Sequence, residues 1–342
     1  MNRNIVTQKI AVIGAGIAGL SCASTLQSFG ITVDVYEKSR GPSGRMSTRQ
    51  TPEWSADHGA QYFTARDPRF IQEVEKWIKN DAADIWRPRL KVYEAMVWHE
   101  SHSQEIRYVG TPTMHSPGKF LAASLTIHYE KTISQLVRRE NKWTLECLES
   151  GAIAESYDFV VLALPAPQAN ALTQYLDPRI TSITNAAQMK GCWTMMAHFP
   201  NHVTLDFDAA FINSELISWI CQNASKPMRQ AKPVWTIHGN PNWSQTNIEL
   251  SKEEAQSQIL ECLMKLGFDC RDSEITMHRW RYASGGLENP IHFLLLEDVH
   301  LGLCGDWLNG GIVEGAWVSG LQLAEAIIKP LDSIDTSKAL ST

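Results

Sequence analysis

A glycine-rich turn near the start of the chain constrains the fold more than any other stretch of the sequence. Residues 10–13 form a short, β-branched apolar run that leads into Gly14, Gly16 and Gly19, spaced as Gly-x-Gly-x-x-Gly. In this arrangement the first glycine takes a tight turn, the second lets a pyrophosphate approach the backbone, and the third lets the next helix pack closely. The sequence therefore predicts a strand, a phosphate-binding turn and a helix within a parallel sheet.

An acidic residue at the end of the second predicted strand narrows the choice of ligand. Ile31, Val33 and Val35 alternate toward Glu37, which follows the glycines at about the 20-residue spacing of dinucleotide-binding folds. A carboxylate there binds ribose hydroxyls and repels a 2′-phosphate, so the pattern suits FAD or NAD better than NADP. The order of strand, glycines, helix, strand and acid indicates a dinucleotide site but does not say which dinucleotide.

The loop after Glu37 is rich in glycine and basic residues. Residues 38–46 read KSRGPSGRM, which brings cations next to the predicted pyrophosphate site. The alternative is a solvated turn with unrelated arginines.

A second strand, turn and helix lie near the other end of the chain. A strand over residues 299–304 leads into Gly305 and Asp306, and Gly310 and Gly311 precede a helix that begins near Glu314. FAD is long enough to extend from the first glycine turn to this element. Its ribityl hydroxyls suit the late aspartate, and the helix N-terminus suits the flavin N1 and O2 atoms, where negative charge gathers on reduction. A simple doubly wound NAD enzyme has no use for this element.

Composition excludes several classes of protein. A chain of 342 residues suggests about two domains. The net charge of −6 argues against a nucleic-acid partner, and no apolar run reaches the ~20 residues needed to span a membrane. The glycine motif interrupts the only N-terminal stretch that a signal peptide could use, so we expect a cytoplasmic protein.

The cysteines and histidines predict neither disulfides nor a metal site. Seven cysteines, an odd number with no Cys-x-x-Cys pair, fit reduced thiols. Eleven histidines show no metal-ligand spacing.

The remaining pattern predicts an α/β fold, with a Rossmann-type FAD-binding domain and an inserted α+β substrate domain built on an antiparallel sheet. A doubly buried strand over residues 157–165 belongs to the parallel sheet, and a helix is predicted over 68–79. Antiparallel strands are predicted over residues 189–199, 209–220 and 234–237. We assign residues 1–66, 110–168 and 272–332 to the FAD-binding domain, residues 67–109 and 169–271 to the substrate domain, and residues 333–342 to a flexible tail.

Six segments together resemble bacterial renalase, a branch of the flavin amine-oxidase-like superfamily. They are the first glycine motif, Gly44-Arg45, and residues 57–67 (DHGAQYFTARD), 163–168 (ALPAPQ), 278–283 (HRWRYA) and 304–317 (CGDWLNGGIVEGAW). The first segment is generic to dinucleotide-binding folds, and the last is shared across amine-oxidase-like flavoproteins. The stretches GAQYFTAR and ALPAPQ are the more specific part of the resemblance.

The resemblance implies non-covalent FAD and a sheet interrupted twice by a substrate domain. It also implies oxidation of the 2- and 6-dihydro isomers of NAD(P)H to NAD(P)+, with oxygen taking the electrons and giving hydrogen peroxide. The implied FAD contacts are Gly14, Gly16, Ala18, Gly19, Glu37, Lys38, Ser39, Arg45, Met46, Ile133, Asp306, Val313 and Glu314. The implied substrate residues are Tyr62, Asn223, His238 and Trp280, laid by the second domain over the flavin ring.

The chain departs from the renalase pattern at two places. Pro42-Ser43 replaces the usual pair of a small residue and glycine, a change that we expect to matter little. Ile312 stands where bacterial relatives are expected to have arginine, which puts in question any contact of that arginine with the substrate or a neighbouring loop.

Each implied substrate residue also has a structural interpretation. Tyr62 and Trp280 either stack on the nicotinamide or flavin or are ordinary packing aromatics. His238 either binds the substrate carboxamide or ribose or is a structural histidine. Asn223 lies in a predicted loop, where capping a turn is the alternative that the local sequence favours.

Three functions stay open at this point. A dihydropyridine that loses a hydride becomes aromatic directly, so the renalase-like oxidase needs positioning rather than a base. The second function is an amine oxidase or dehydrogenase of the same fold, although such enzymes usually place a lysine near flavin N5 and none is assigned here. The third is an FAD-binding module without turnover.

Overall fold

The computed structural model describes residues 8–199 and 205–337. Within them the chain divides into two compact units. Unit 1 comprises the chain up to Gly44, the segment Gly118–Gln188 and the chain from Gly285 onward, and unit 2 comprises Arg45–Pro117 and Met189–Ser284. The units therefore break at other positions than the predicted domain boundaries, and residues 45–66 group with unit 2.

The described residues form twenty strands and eight α-helices. The strands are β1 Lys9–Ile13, β2 Thr32–Tyr36, β3 Thr48–Gln50, β4 Ser55–Asp57, β5 Ala83–Trp86, β6 Leu90–Glu94, β7 Val97–Glu100, β8 Arg107–Gly110, β9 Thr126–His128, β10 Ile133–Arg139, β11 Lys142–Cys147, β12 Gly151–Tyr157, β13 Phe159–Leu162, β14 Gln188–His198, β15 Ala209–Ile212, β16 Ile217–Gln222, β17 Val234–Gly239, β18 Glu274–Gly286, β19 Phe293–Leu296 and β20 Leu301–Cys304. The helices are α1 Ile17–Ser28, α2 Pro68–Lys79, α3 Ser116–Ala122, α4 Ala166–Thr173, α5 Pro178–Ala186, α6 Pro241–Thr246, α7 Lys252–Lys265 and α8 Val313–Ser337.

Unit 1 is built on a six-stranded sheet in the order β19-β20-β13-β1-β2-β9. Every neighbouring pair is parallel except β19 and β20, at one edge. The central strands are apolar throughout because they are buried on both faces, and Val12, Val161 and Leu303 are all inaccessible to solvent. This sheet confirms the predicted Rossmann-type fold.

The helices α1 and α8 lie against each other in unit 1. A Cβ at Gly320 would come within 2.0 Å of the Ala18 carbonyl oxygen, so the missing side chain is what allows the close approach. The Ser21 hydroxyl donates to the Trp317 carbonyl oxygen at 2.8 Å. The helix that follows the first glycine motif is therefore packed on the helix that follows the late glycine turn.

Unit 2 is built on a seven-stranded sheet in the order β18-β14-β17-β16-β15-β6-β7. Four of its pairings are antiparallel, namely β14–β17, β16–β17, β15–β16 and β6–β7. Strands β15 and β6 pair in parallel. The predicted antiparallel sheet is thus confirmed for unit 2, apart from its one parallel pair.

The two faces of this sheet differ in chemistry because side chains alternate along each strand. On β17, Trp235 and Ile237 point into a large apolar core, which helix α7 completes with Ala255, Ile259 and Leu263. Thr236 and His238 alternate with them and point to the opposite face. We call this opposite side, which carries the predicted substrate residue His238, the polar face.

Helix α2 has the bounds that its sequence predicts. Asp67 caps its N-terminus by accepting from the Arg69 N–H at 2.8 Å, and Pro68 occupies the first turn. Trp77 is fully buried, and its indole N–H donates to Glu73.

Helix α8 extends to Ser337, which is inside the segment 333–342 that the sequence predicts to be a flexible tail. The last residues of that segment lie outside the described chain. Among the described helices, none is both long and apolar enough to cross a membrane.

Candidate functional site

The three glycines of the first turn occupy three different environments. Gly14 has φ +106° and donates its N–H to the Tyr36 carbonyl at 2.8 Å. A Cβ on Gly19 would lie 2.0 Å from the Gly14 carbonyl oxygen, so Gly19 sets the packing of helix α1 on the turn. A Cβ on Gly16 would meet no atom within 4 Å. The open space at the helix N-terminus is where a pyrophosphate would approach, so this turn fits the cofactor that the sequence implies.

Glu37 joins the turn to the end of β2. Its Oε2 accepts from the Ala15 N–H and its Oε1 accepts from the Ser39 N–H, both at 2.8 Å. These bonds fix the carboxylate beside the glycines, and each oxygen retains a lone pair for a ribose hydroxyl. Lys38 and Ser39, which follow, are exposed.

The loop that carries the Pro42-Ser43 departure packs on the glycine turn. The Ser43 N–H donates to the Ala15 carbonyl at 2.8 Å, and Ser43 has φ +94° while being almost fully buried. Glycine adopts such a backbone conformation without strain, whereas serine does not. A Cβ at Gly118 would lie 2.0 Å from the Ser43 hydroxyl oxygen, so the serine also fills the space that Gly118 leaves. The departure therefore carries a local cost that the sequence did not suggest.

Ile133 lies at the start of the antiparallel sheet formed by β10, β11 and β12. It is buried, and the segment just before it pairs with the chain after β2, since the Lys131 N–H donates to the Glu37 carbonyl at 3.0 Å. The structure thus brings the segment of Ile133 next to Glu37.

The late turn is fixed mainly by backbone bonds. The N–H groups of Asn309 and Gly311 donate to the Asp306 carbonyl, both at 2.8 Å. Helix α8 begins at Val313, and a Cβ on Gly315 would lie 1.9 Å from the Asn309 carbonyl oxygen. Asp306 and Glu314 are both buried.

Ile312, the second departure, is 47% exposed just before Val313.

Arg45 and Met46 belong to unit 2. Arg45 donates from Nη1 to the Ala283 carbonyl at 3.1 Å, and its own carbonyl accepts from the Ala60 N–H at 3.0 Å. A Cβ at Gly59 would lie 1.9 Å from that carbonyl oxygen. Met46 is buried. Their part in cofactor binding stays a prediction.

Trp280 lies in a cluster of rings with two histidines that were not predicted. The ring centroids of His58 and His278 lie 5.2 Å and 4.4 Å from that of Trp280, and the Trp280 indole N–H donates to the His58 carbonyl at 2.9 Å. Burial, helped by nearby cationic groups, lowers the pKa of His58 to about 3 and the pKa of His278 to about 4. Both rings are therefore neutral at about pH 7.

His238 belongs to the same neighbourhood. Its ring donates a hydrogen bond to the backbone of His58 that raises the pKa of His238, but burial and the nearby Lys226 ammonium outweigh this bond and lower the pKa to about 4. The His58 backbone thus connects His238 to Trp280, and the polar face carries neutral imidazoles rather than charged ones.

Tyr62 lies among aromatic rings. Its ring centroid is 6.2 Å from that of Trp86 and 5.6 Å from that of Trp219, and the Arg107 guanidinium lies 5.2 Å from it. Burial raises the pKa of Tyr62. The phenol is therefore neutral, and its ring is held by aromatic and cationic neighbours.

Asn223 uses its side chain within the fold. Its Oδ1 accepts from the Asp57 N–H at 3.1 Å and its Nδ2 donates to the Ser55 carbonyl at 2.8 Å, so the amide holds strand β4. Asn223 is 2% exposed, and its amide holds a strand, whereas the alternative suggested by the local sequence is capping of a turn.

A buried ion cluster lies beneath these residues and was not predicted. Asp57 Oδ2 lies 3.0 Å from Lys226 Nζ and 2.8 Å from Arg229 Nη2, and all three side chains are inaccessible to solvent. Burial acts to raise the pKa of Asp57, but Lys226 and Arg229 outweigh it and lower the pKa to about 2. Asp57 belongs to the segment that carries the renalase resemblance, but no spacing in the sequence connects it with residues 226–229.

Two family models match the chain. The NAD(P)-binding Rossmann-like domain matches residues 12–76, and the flavin containing amine oxidoreductase matches residues 78–328. The second match covers most of the chain.

A curated relative matches over part of its length. The chain is 27% identical over 206 residues to the tRNA 5-methylaminomethyl-2-thiouridine biosynthesis bifunctional protein MnmC of Magnetococcus marinus. The match takes in 48% of this chain and 30% of MnmC, so this chain spans less than a third of that relative.

Solved structures of three oxidases resemble the whole chain. A protein assigned as a protoporphyrinogen oxidase from Exiguobacterium sp. 255-15 has a TM-score of 0.76 at 12% identity, covering 94% of this chain and 98% of its own. Putrescine oxidase bound to putrescine has a TM-score of 0.73 at 13% identity, covering 94% and 99%. Cyclohexylamine oxidase from Brevibacterium oxydans has a TM-score of 0.69 at 12% identity, covering 95% and 100%. At such identities the likeness shows a shared fold.

Proposed function

Since the chain belongs to the flavin containing amine oxidoreductase family, we propose that it binds FAD non-covalently and oxidises the 2- and 6-dihydro isomers of NAD(P)H to NAD(P)+. Oxygen is the proposed electron acceptor and hydrogen peroxide the proposed second product. Membership of this family supports a flavin-dependent oxidoreductase. The choice of FAD and of isomeric dihydronicotinamides is our proposal.

The geometry of unit 1 supports FAD as the flavin. The open N-terminus of helix α1 at Gly16 would take the pyrophosphate, and the carboxylate of Glu37 would take ribose hydroxyls. The packing of α1 on α8 keeps the first turn and the segment of Asp306 within one rigid framework. A cofactor as long as FAD would need both the first glycine turn and the segment of Asp306 to be held in place.

The chemistry of the polar face carries the choice of substrate. The ring of Trp280 lies near histidines that are neutral at about pH 7, the ring of Tyr62 lies near the Arg107 guanidinium, and the carboxylate of Asp57 is already neutralised by two cations. An alkylamine substrate is an ammonium ion at that pH, and it would gain no free carboxylate from this set of groups. A planar, uncharged dihydropyridine on an anionic dinucleotide suits aromatic rings, neutral imidazoles and excess positive charge.

The proposed reaction asks the protein for positioning. A bound flavin supplies the hydride acceptor and passes the electrons to oxygen. The chain's own residues would hold the dihydropyridine ring flat, orient its carboxamide and exclude water. No base is needed, because loss of a hydride makes the ring aromatic without loss of a proton.

Anaerobic titration of the purified holoprotein tests this proposal. Stoichiometric 2- and 6-dihydro-NAD(P) are expected to bleach the flavin absorbance rapidly, while ordinary 4-dihydro-NAD(P)H and a panel of amines are not. Admission of oxygen should restore the absorbance and release one hydrogen peroxide per flavin reduced.

Two results would contradict the proposal. Bleaching by an amine alone would favour the amine oxidase, whose fold is the same. A bound flavin that no candidate reductant bleaches would favour the FAD-binding module without turnover.

A further inference from the structure

Two buried ring nitrogens on the polar face have no hydrogen-bond partner within the described chain. They are Nε1 of Trp219 and Nε2 of His238. The two residues stand directly opposite each other on the neighbouring antiparallel strands β16 and β17, so their side chains share one face of the sheet. An unsatisfied buried polar atom is costly, and two of them side by side indicate a place where a ligand supplies the missing bonds.

The two nitrogens differ in what they can bind. An indole Nε1–H is a donor only. His238 has a ring hydrogen bond to the backbone of His58 that favours protonation, which identifies a carbonyl as the acceptor. Because Nε2 is unpartnered, we assign the bonded proton to Nδ1, and Nε2 then presents a lone pair. The pair therefore offers one donor and one acceptor.

We propose that Trp219 and His238 form a recognition pair for a primary carboxamide carried on a planar heteroaromatic ring. The carboxamide oxygen would accept from Trp219 Nε1–H, and the carboxamide N–H would donate to His238 Nε2. This inference rests on the proposed function, because a dihydronicotinamide carries such a group. It assigns to Trp219 a specificity role that neither the sequence motifs nor the family match provides.

The surroundings of the pair fit a flat ligand. The ring centroid of Phe211 lies 4.8 Å from that of Trp219 on one side, and that of Tyr62 lies 5.6 Å away. The two nitrogens are covered in this conformation, and the neighbouring rings of Tyr62 and Phe211 are both only partly buried. The ligand would reach the pair when the Tyr62 ring turns aside and then stacks on it.

The pair also predicts what is rejected. A carboxylate in place of the carboxamide would put an oxygen lone pair against the lone pair of His238 Nε2. The carboxylate ligand should bind at least about tenfold more weakly than the carboxamide ligand, because one hydrogen bond is replaced by a repulsive contact with a buried group.

Binding of two nearly identical ligands to the holoprotein tests the inference. Nicotinamide mononucleotide carries the carboxamide and nicotinic acid mononucleotide the carboxylate, and calorimetry would measure both affinities. We expect the wild type to prefer the carboxamide by about tenfold, because of the lone pair on His238 Nε2, and Trp219→Phe to bind the carboxamide about fivefold more weakly than the wild type does. Trp243→Phe is the matched control, because the Trp243 indole N–H is already bonded to Gln258. Thermal unfolding of each variant verifies that it is folded.

The NMR spectrum of the wild-type protein gives a second test, in which variants serve only to assign the resonances. With ¹⁵N-labelled tryptophan, the indole resonance that disappears in Trp219→Phe should move downfield when nicotinamide mononucleotide binds, and the resonance that disappears in Trp243→Phe should stay in place.

Equal affinity of the wild type for the two ligands, no binding of the carboxamide, or an undiminished affinity for the carboxamide in Trp219→Phe would each overturn the inference. Hydride transfer does not enter this experiment. A preference for the carboxamide without any bleaching by dihydronicotinamides would overturn the proposed oxidase and not the pair. Bleaching without the preference would overturn the pair alone.

Discussion

At the scale of single residues, a substitution at Gly16 should weaken cofactor binding and leave the stability of the fold nearly unchanged. A methyl group at Gly16 would meet no protein atom within 4 Å, and its φ of −73° is one that alanine adopts freely. We expect Gly16→Ala to change the free energy of unfolding of the flavin-free protein by less than about 1 kcal/mol. Because the methyl group would occupy the space of the pyrophosphate, flavin affinity should fall by more than about tenfold. Denaturant unfolding and flavin titration measure the two effects.

Gly19→Ala is the matched control for that variant. Its methyl group would lie 2.0 Å from the Gly14 carbonyl oxygen, so helix α1 has to move. We expect a loss of about 1–3 kcal/mol in the flavin-free protein. Equal stability losses in the two alanine variants would show that Gly16 is a packing glycine.

The buried ion cluster supports a second prediction at the residue scale. Asp57→Asn keeps the shape of the side chain but leaves the ammonium of Lys226 and the guanidinium of Arg229 without their buried anion. The free energy of unfolding should fall by about 3–5 kcal/mol, as measured by urea denaturation.

The exposed pair of Glu261 and Lys265 provides the control. The Glu261 Oε1 lies 2.8 Å from the Lys265 Nζ across one helical turn, with both side chains mostly exposed. Glu261→Gln should cost less than about 0.5 kcal/mol. If the two substitutions cost the same, the cluster is not the stabilising anion site that its burial indicates.

The role of a single residue was predictable when its partners lie close to it in the sequence and was not when they lie far away. The glycine turn and Glu37 were predictable because their roles are set by neighbours in the sequence and by known turn geometry. The contacts of Asp57 with Lys226 and Arg229, and of Trp280 with His58, join residues that are far apart in the chain. No local pattern encodes them, so the chemistry around the implied substrate residues became visible only in the fold.

At the scale of elements, helix α7 depends on its N-terminal capping box. The Glu254 N–H donates to the Ser251 hydroxyl at 3.1 Å, and the Ser251 N–H donates to the Glu254 carboxylate at 2.9 Å. Ser251→Ala should lower the free energy of unfolding by about 1 kcal/mol, since α7 covers one face of the sheet in unit 2. Chemical denaturation gives the measurement.

Ser257→Ala controls for the loss of a hydroxyl in the same helix. Ser257 is exposed in the middle of α7, where alanine is the better helix former. This variant should be as stable as the wild type or slightly more so. A comparable loss in both variants would contradict the capping role.

Elements with their own start, stop and period were predictable, and short strands were not. Helix α2 has an N-cap at Asp67, a proline in its first turn and a helical apolar period, and its bounds agree with the prediction. Strand β4 is three residues long and is held by the Asn223 side chain and by the Thr236 hydroxyl, which donates to the Asp57 carbonyl at 3.0 Å. Its conformation is imposed by a distant part of the chain.

At the scale of the whole molecule, three histidines make the fold sensitive to acid. The pKa of His58 is lowered to about 3, and those of His238 and His278 to about 4, in each case first by burial. In the unfolded chain these groups titrate near a pKa of about 6.5, so the unfolded state binds more protons below that pH. Stability is fully present above about pH 6.5 and falls as the pH drops toward 4, by about 1.4 kcal/mol per pH unit for each histidine.

Urea denaturation between about pH 7 and pH 4 measures this dependence. His278→Gln should reduce the slope of stability against pH, whereas His102→Gln, at an exposed position, should leave it unchanged. An unaltered slope in His278→Gln would contradict the prediction. The carboxylate of Asp57, with its pKa lowered to about 2, adds a further loss below about pH 4.

The fold class of the whole molecule was predictable because the strands of each large sheet have a characteristic pattern of apolar residues. Doubly buried apolar runs indicated the parallel sheet, and alternating segments indicated the antiparallel one. The breaks between the two units could not be placed from the sequence, because the chain changes unit at Gly44, Pro117, Gln188 and Ser284 without a linker composition to mark the change.

The strand order of unit 1 has a consequence for biosynthesis. Strands β1 and β2 leave the ribosome before β13 and β20, but β1 needs β13 as its other neighbour, and β13 in turn needs β20. The nascent chain must therefore keep the edge of β1 and then of β13 unpaired while most of unit 2 is synthesised. We expect emergence of β20, rather than emergence of the glycine turn, to set the time at which unit 1 folds, and translation products that lack β20 to be prone to aggregation and to bind chaperones.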